Sequence, residues 1–247
     1  MAEPTRKPRR RWPGRPKPSI PASARERVRR HASGGSSTEF WIRRRLVGRA
    51  FRDEEGRLVH AYGIRRGVPH GPMIGYDSRG RGLPSSVTPF VNGLVHGWTR
   101  EYFRDRRLLI EWPFVRGTGV DYWWLEDGRL CAEFPFVSGK PSGVERWWVD
   151  AKTIFQETHL LDGLWHGPRR RWTAAKLDPG HPKLFIRGKQ VSRRAYLAAQ
   201  RRDPSLPPLR AEDDDPRRAL RAQFVRRKRW PLSKQARPRT AATSRRR

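Results

Sequence analysis

Three histidines recur at matching positions in the middle of the chain. His70, His96 and His166 each stand directly before a glycine. Imidazole is a common metal ligand and the usual acid/base group near neutral pH. A zinc site needs further Cys, His or carboxylate ligands, and the columns that contain these histidines supply no cysteine or acidic residue. We therefore expect the histidines to repeat for a structural reason, and we predict no metal site.

Paired carboxylates are the other arrangement that could do chemistry. Glu111 and Glu133 fall in one column of the repeat described below, and two carboxyl groups can share general acid/base work. No nucleophile, cofactor-binding loop or phosphate-binding loop accompanies them. The sequence therefore predicts a protein that is not an enzyme and that uses no cofactor and no small-molecule substrate. Cys131 is the single cysteine, which excludes an intrachain disulfide and fits a cytoplasmic location.

These residues belong to a tandem repeat. In five copies, numbered here one to five, a glycine is followed five residues later by an aromatic residue, and successive glycines lie 26, 22, 24 and 24 residues apart. Self-similarity at a nearly fixed period is the sequence signature of a repeat architecture. The five pairs are Gly71 and Tyr76, Gly97 and Tyr102, Gly119 and Trp124, Gly143 and Trp148, and Gly167 and Trp172.

An additional glycine opens the glycine motif of each copy. In four repeats it stands four residues before the glycine just described, which gives a Gly-x-x-x-Gly motif. The residue before the second glycine is histidine in three of these repeats and Ser142 in the other. Repeat three is shortened to Gly117-Thr118-Gly119. The opening glycines of the four complete motifs are Gly67, Gly93, Gly139 and Gly163.

The pattern predicts one β-hairpin per repeat. The first strand of a hairpin runs from the second glycine to the aromatic residue, and the second strand, which we number with the repeat whose glycines follow it, alternates with period two, as in Leu130, Ala132 and Phe134. The glycines supply the positive φ that the return to the next hairpin needs. The fold class that follows is all-β, a single-layer twisted antiparallel meander of tandem hairpins. A short C-terminal capping helix and disordered basic tails complete the prediction.

Two columns of the repeat carry further predictions. Pro89, Pro113 and Pro135 stand one residue before a phenylalanine, and proline cannot donate a hydrogen bond to a neighbouring strand. We therefore expect this column to face solvent, an edge or a bulge. The five aromatic residues, Tyr76 to Trp172, are expected to stack on one face of the sheet.

The Gly-x-x-x-Gly-x-x-x-x-aromatic pattern resembles the MORN-repeat family, in particular the bacterial variant form found in antitoxin-like proteins. The resemblance covers about residues 60–175, and a degenerate copy around Gly48–Gly56 would have Phe51 as its aromatic residue. It implies a β-hairpin repeat fold. It also implies a protein that binds another protein, in one version an antitoxin or immunity protein that masks a toxin.

Composition sets the predicted domain boundaries. The net charge of +31 is concentrated in the flanks: residues 1–35 contain 11 Lys and Arg against two acidic residues, and residues 191–247 contain 18 against five. Because such segments have little to bury, we predict that 1–35 is a disordered basic tail and that 205–247 is a basic, mostly disordered tail. Between them we place the repeat domain at 36–190 and a capping helix at 191–204.

The C-terminal flank contains two local patterns. Ser192 is a candidate N-cap for a helix over Arg193–Arg201, and Tyr196 and Leu197 would lie against the open end of the sheet. Further on, apolar residues at helical spacing among arginines could form a basic amphipathic helix near Trp230.

Two functions remain open at this stage. In the first, the repeat sheet is a non-enzymatic module that recognises a protein partner. In the second, the Arg-rich tails bind nucleic acid or acidic lipid, and the sheet is only a scaffold.

Overall fold

The computed structural model describes residues 17–77, 82–103, 107–125, 128–150 and 152–218. Almost all of its regular structure is β-strand, with one short helix near the C-terminal end. The elements in chain order are β1 (Arg25–Arg30), β2 (Ser36–Ile42), β3 (Arg45–Arg52), β4 (Leu58–Arg65), β5 (Val68–Pro69), β6 (Gly71–Tyr76), β7 (Pro84–Val91), β8 (Leu94–Val95), β9 (Gly97–Tyr102), β10 (Leu108–Val115), β11 (Thr118–Trp124), β12 (Leu130–Val137), β13 (Lys140–Pro141), β14 (Gly143–Trp148), β15 (Ile154–Leu161), β16 (Leu164–Thr173), β17 (Lys176–Leu177), β18 (Lys183–Ile186), β19 (Lys189–Val191), α1 (Arg193–Gln200) and a 3₁₀ turn at Ala211–Asp214.

The strands form one open antiparallel sheet, which confirms the predicted meander. Each pairing that the structure shows is antiparallel and joins strands that are close in the chain. The two faces of the sheet follow from the register, since cross-strand partners point the same way. We call the face that carries Ile74, Trp98 and Pro113 the front face, and the face that carries Phe114 and Phe134 the back face.

Two-residue turns join the repeats along one edge of the sheet. In the turn after β7, Asn92 and Gly93 both have positive φ, 50° and 85°. This conformation matches the twist of the strands on either side, and it explains why the second turn residue is glycine in all five repeats. The opening glycines Gly67, Gly93, Gly117, Gly139 and Gly163 all occupy this position, with φ between 76° and 85°.

A two-residue register shift follows each complete turn. Phe90 pairs with Val95 beside the turn, whereas Val87 pairs with Arg100 farther along, so His96 and Gly97 are extra residues in the second strand. Pro89 lies opposite this bulge, where its carbonyl accepts the N–H of His96 at 2.9 Å. N–H and C=O of a strand residue point to the same side, so the N–H that proline lacks would have pointed into the bulge. The predicted position beside a bulge is confirmed for Pro89 and for Pro135, whose carbonyl accepts the N–H of Ser142 at 3.0 Å.

The shortened motif of repeat three weakens the sheet at one point. Strand β10 pairs with β11 only through Phe114 with Gly119 and Val115 with Thr118. Without the two extra residues, the strands separate beyond Gly119, and the rings of Trp112 and Tyr122 meet edge to face with centroids 5.6 Å apart. The third repeat is therefore a junction between two halves of the sheet.

The N-terminal region contains more structure than its composition predicts. Within the predicted 1–35 tail, Arg25–Arg30 form β1, which pairs with β2 over six residues. The strand buries no side chain, so backbone hydrogen bonds to β2 are its principal support. Residues 18–21 precede it and lie across the front face, where they contact the glycines of β3, β4 and β6. We call residues 18–21 the N-terminal strap.

The opposite end of the sheet closes as predicted. Ser192 caps α1 by accepting the N–H of Ala195, and Tyr196 is fully buried against Leu184 and Leu206. Leu197 departs from the prediction because it faces solvent and is 38% exposed. After the helix, residues 204–216 lie across the front face of β15 and β16. We call them the C-terminal strap.

Two predictions concern segments outside the described residues. They are the basic amphipathic helix near Trp230, and the disorder predicted for residues 1–16 of the N-terminal tail and 219–247 of the C-terminal tail. In the part of the chain that the structure describes, no helix has the length and apolar character needed to cross a membrane.

Candidate functional site: the front face of the central repeats

The residue before the second glycine links each repeat to the next. Nδ1 of His70 accepts the backbone N–H of Asn92 at 3.3 Å, and Nδ1 of His96 accepts that of Arg116 at 3.1 Å. His166 accepts the N–H of Arg187 in the same way at 3.2 Å. Each histidine therefore fastens its own turn to the following one, which supports the structural reason that the sequence suggested.

Repeats three and four use hydroxyl groups for the same purpose. The hydroxyl of Thr118 accepts the N–H of Ser138 at 3.0 Å, and that of Ser142 accepts the N–H of Asp162 at 2.9 Å. Threonine and serine therefore make the same link as histidine at this position. Among the described residues, no group of three or more His, Cys, Asp and Glu side chains is placed to hold a metal ion.

The second glycines accommodate the bulge. Gly71, Gly97, Gly143 and Gly167 have φ between 82° and 127°, whereas Gly119 of the shortened repeat does not have positive φ. Most of these sites also lack room for a side chain. A Cβ atom on Gly143 would lie 2.9 Å from the ring of Pro135. The proline column thus packs onto the glycine column of the same repeat.

The aromatic column closes each hairpin but does not form the predicted stack. Trp124 pairs with Leu130 and Trp148 with Ile154, immediately after a bulge in the strand. Among the described residues, no ring contact joins Trp124 to Trp148. A run of ring contacts instead connects Trp123, Phe134 and Trp147 on the back face, with centroid distances of 4.8 to 5.7 Å. The bulge rotates Trp124 and Trp148 away from each other, so the preceding residues, Trp123 and Trp147, make the ring contact between the hairpins.

Three other members of that column have different surroundings. Tyr76 pairs with Pro84 and Tyr102 with Leu108, at the ends of their hairpins. Trp172 is buried, and its indole N–H donates to the carbonyl of Asp214 in the C-terminal strap at 2.7 Å.

The carboxylates considered for acid/base chemistry have arginine partners on the front face. Arg100 donates to Glu111 at 3.1 Å. Beyond the junction, a continuous chain of ion pairs crosses four strands: Glu133 with Arg146 at 2.7 Å, Arg146 with Glu157 at 2.9 Å, Glu157 with Arg170 at 3.3 Å and Arg170 with Asp214 at 2.9 Å. We call this chain of five side chains the charge ladder. Glu111 and Glu133 therefore do not form a carboxylate pair.

A cleft of about 550 Å³ lies on the back face at the junction between the halves. Glu101 lines it, and burial together with the nearby Asp121 raises the pKa of the Glu101 carboxyl to about 7. Burial also raises the pKa of Asp121. Sequence inspection did not reveal this pair because Glu101 and Asp121 belong to different repeats at non-equivalent positions. The described residues that line the cleft include no histidine or cysteine.

The front face of repeats two to four carries an exposed apolar strip. Pro113 and Trp98 are cross-strand partners on it, and Trp98 is 49% exposed. Val115 lies two residues after Pro113 on the same face and is 61% exposed. Val91 and Val137 occupy the equivalent places beside the turns of the neighbouring repeats, with 43% and 50% exposure. We call these five residues the central strip.

The sequence contained a signal for the central strip that composition alone did not reveal. The x-Pro-Phe-Val pattern recurs in repeats two, three and four, and the alternation of a strand places proline and valine on one face and phenylalanine on the other. Repeats one and five have Gly63 and His159 in place of the proline, and the two straps cover the front face there. The strip is thus confined to the uncovered part of that face.

Comparisons with known proteins do not assign this chain to a family. No family model matches the sequence, and no curated protein matches it.

Proposed function

We propose that this chain is a non-enzymatic, MORN-like protein-interaction module that docks a protein partner on the central strip. The observation that carries the proposal is the strip itself. Its apolar side chains are exposed on one face at equivalent places of three successive repeats, in a chain that is otherwise rich in arginine and has a mean hydropathy of −0.89. Contiguous apolar patches on a soluble surface mark interaction sites, whereas single exposed apolar residues need no explanation.

The rigidity of the scaffold supports this proposal. Hydrogen bonds between successive turns, such as Gly117 N–H to the carbonyl of Val95 at 2.7 Å, hold the repeats in fixed spacing. A binding surface that is ordered before the partner arrives has a smaller entropy cost on association. The resemblance to antitoxin-like proteins suggests one concrete form, in which the module masks a toxin.

A photo-crosslinking experiment tests the proposal. A benzophenone amino acid replaces Val115 on the central strip or Trp123 on the back face, which is similarly exposed at 50%. Each full chain is incubated with nuclease-treated extract, and the crosslinked protein is identified and purified. We expect a specific partner only from position 115, and we expect Val115→Asp to weaken its binding more than tenfold, about 1.4 kcal/mol. Equal binding by the Val115→Asp chain would refute docking on the strip.

The charge of the chain favours a second candidate function. A net charge of +31 is large enough to attract nucleic acid or acidic lipid without any specific site. Removal of residues 219–247 separates the two functions, because it keeps every described residue and removes much of the basic flank. Partner binding that survives this truncation supports the module. Loss of all binding, together with a steep salt dependence in the full chain, supports the tail.

A further inference from the structure

The two ends of the front face are covered by segments of nearly identical sequence. The N-terminal strap consists of Pro-Ser-Ile-Pro at residues 18–21, and the C-terminal strap begins with Pro-Ser-Leu-Pro at residues 204–207. They are separated by more than 180 residues of chain. Both lie on the front face over the bulge that follows a two-residue turn, one in repeat one and the other in repeat five.

The N-terminal strap fills the place of a missing proline ring. Repeat one has Gly63 where repeats two to four have proline, and a Cβ atom on Gly63 would lie 2.6 Å from the carbonyl oxygen of Ser19. The Ser19 side chain lies over Gly71, the second glycine of this repeat. Ile20 continues across the sheet and approaches Gly48, where a Cβ atom would lie 2.5 Å from its Cγ1. A side chain on Gly48, Gly63 or Gly71 would displace the strap.

The C-terminal strap uses the same surface of repeat five with an added hydrogen bond. Oγ of Ser205 lies 3.0 Å from Nε2 of His166. Since Nδ1 of His166 accepts a backbone N–H, its Nε2 carries the proton and donates to the serine. The ring of Pro207 would lie 2.9 Å from a Cβ atom on Gly167, and its carbonyl accepts the hydroxyl of Tyr196 at 2.7 Å.

The central repeats offer the same features, and no segment among the described residues covers them. His96 accepts the Arg116 N–H through Nδ1, so its Nε2 also carries the proton, and His96 is exposed. Trp98 follows on the front face beside Pro113 and presents about half of its surface to solvent. Exposed aromatic rings are the surfaces on which extended proline-containing segments dock.

We propose that the His96 and Trp98 surface binds an extended Pro-Ser-aliphatic-Pro segment of a partner protein. The segment would place its proline against Trp98 and its serine hydroxyl on Nε2 of His96, as Ser205 lies on His166. Such segments are preorganised, so little entropy is lost on binding. This inference names the ligand of the proposed function and therefore rests on it.

A peptide taken from the chain itself tests the inference. Fluorescent Asp-Pro-Ser-Leu-Pro-Pro-Leu, residues 203–209, is titrated with the full chain and followed by anisotropy. We expect a Kd on the order of 10⁻⁴ M. Loss of the aromatic contact in Trp98→Ala should weaken binding about five- to tenfold. Trp123→Ala is the matched control, since Trp123 has the same exposure on the opposite face, and it should leave the Kd unchanged.

A second variant isolates the hydrogen bond. His96→Ser keeps an acceptor for the Arg116 N–H, as Ser142 does in repeat four, but removes the Nε2 donor. We expect it to weaken binding about threefold, in line with one modest hydrogen bond. The same peptide with its prolines replaced by alanine should bind at least fivefold more weakly, since it lacks both the preformed conformation and the rings.

Three results would overturn the inference. The first is no binding up to millimolar concentrations. The second is equal binding by the Trp98→Ala chain, which would mean that the peptide displaces the C-terminal strap instead. The third is a Trp98-dependent affinity for a single-stranded oligonucleotide that exceeds the affinity for the peptide. In each of these cases, a crosslinked partner whose binding still depends on Val115 would support the proposed function. Only the proposed ligand chemistry would then be wrong.

Discussion

The two halves of the sheet carry different side chains along one line of cross-strand partners on the front face. We call this line the row. Before the junction, the middle of the row consists of small and aliphatic side chains, Ala50, Ala61 and Ile74, all buried. After the junction, the equivalent row is the charge ladder, in which Glu157 and Arg170 are almost completely buried. Both halves use the same hairpins, the same turns and the same links between turns.

This difference shows that the repeat frame does not depend on what fills the row. The frame is set by turn residues and by backbone bonds between repeats, which are common to both halves. The row determines instead what each strap must provide. Ser19 and Ile20 supply packing atoms over glycines, whereas Asp214 supplies the negative charge that ends the ladder beside Arg170.

Breaking the charge ladder should have the largest effect. Arg170→Met leaves the buried Glu157 with Arg146 alone, which Glu133 also uses, so one buried carboxylate of the ladder is no longer compensated. Removing one partner of a buried ion pair typically costs about 3–5 kcal/mol. Urea denaturation measures the change. The exposed Arg171, which pairs with Asp178, is the matched control, and Arg171→Met should change stability by less than about 0.5 kcal/mol. Recovery of most of the loss in Arg170→Met with Glu157→Gln would confirm that the unpaired charge is the cause.

The apolar row should respond by a different mechanism. Ile74 has no exposed surface, so Ile74→Ala should cost about 2–4 kcal/mol through lost transfer energy and a cavity. Val59 lies on the neighbouring strand and is 41% exposed, so Val59→Ala should lower the free energy of unfolding by less than about 1 kcal/mol. The cost at Ile74 should be the same in low salt and in 1 M salt. A salt-dependent cost at Ile74 would mean that the two halves do not differ as described.

The cleft where the halves meet should make stability depend on pH. The pKa of Glu101 is about 7 in the folded protein and about 4.5 when unperturbed, so the folded state holds the proton more tightly. Stability should therefore fall as pH rises from about 4.5 to 7, by up to about 3 kcal/mol. Glu101→Gln should raise stability at pH 8 and change it little at pH 4.5. Thermal denaturation across this pH range measures the difference. If the variant and the parent lost stability in parallel, the raised pKa would not belong to Glu101.

The hairpins, turns and cap could be predicted from sequence because local pattern determines them. Period-two alternation, paired glycines and an N-cap serine each act within a few residues, as β12, Gly93 and Ser192 show. The straps could not, since Pro18–Pro21 and Pro204–Pro207 gain order only by contact with a distant surface. Their composition resembles that of a disordered tail. The near-identity of the two segments was a usable signal, but only once both were seen on one face.

The smallest predicted effect concerns which tryptophans are energetically coupled in the half of the sheet that contains the charge ladder. The repeat pattern alone predicts that Trp124 and Trp148 are coupled, whereas the structure joins Trp123 to Trp147 at 5.7 Å and leaves the other two rings without mutual contact. Residues in contact typically show interaction energies of at least about 0.5 kcal/mol, and separated residues are additive to within that amount.

Double-mutant cycles to alanine distinguish the two arrangements. For Trp123 with Trp147 we expect the double mutant to cost about 0.5–1.5 kcal/mol less than the sum of the single mutants, because the first truncation already removes their edge-to-face contact. For Trp124 with Trp148 we expect a deviation from additivity below about 0.5 kcal/mol. The exposed Trp98, on the opposite face, should be additive with Trp147 by the same criterion. If Trp124 and Trp148 were coupled and Trp123 and Trp147 were not, the aromatic column of the repeat pattern would be correct and the bulges before Trp124 and Trp148 would not rotate their rings apart.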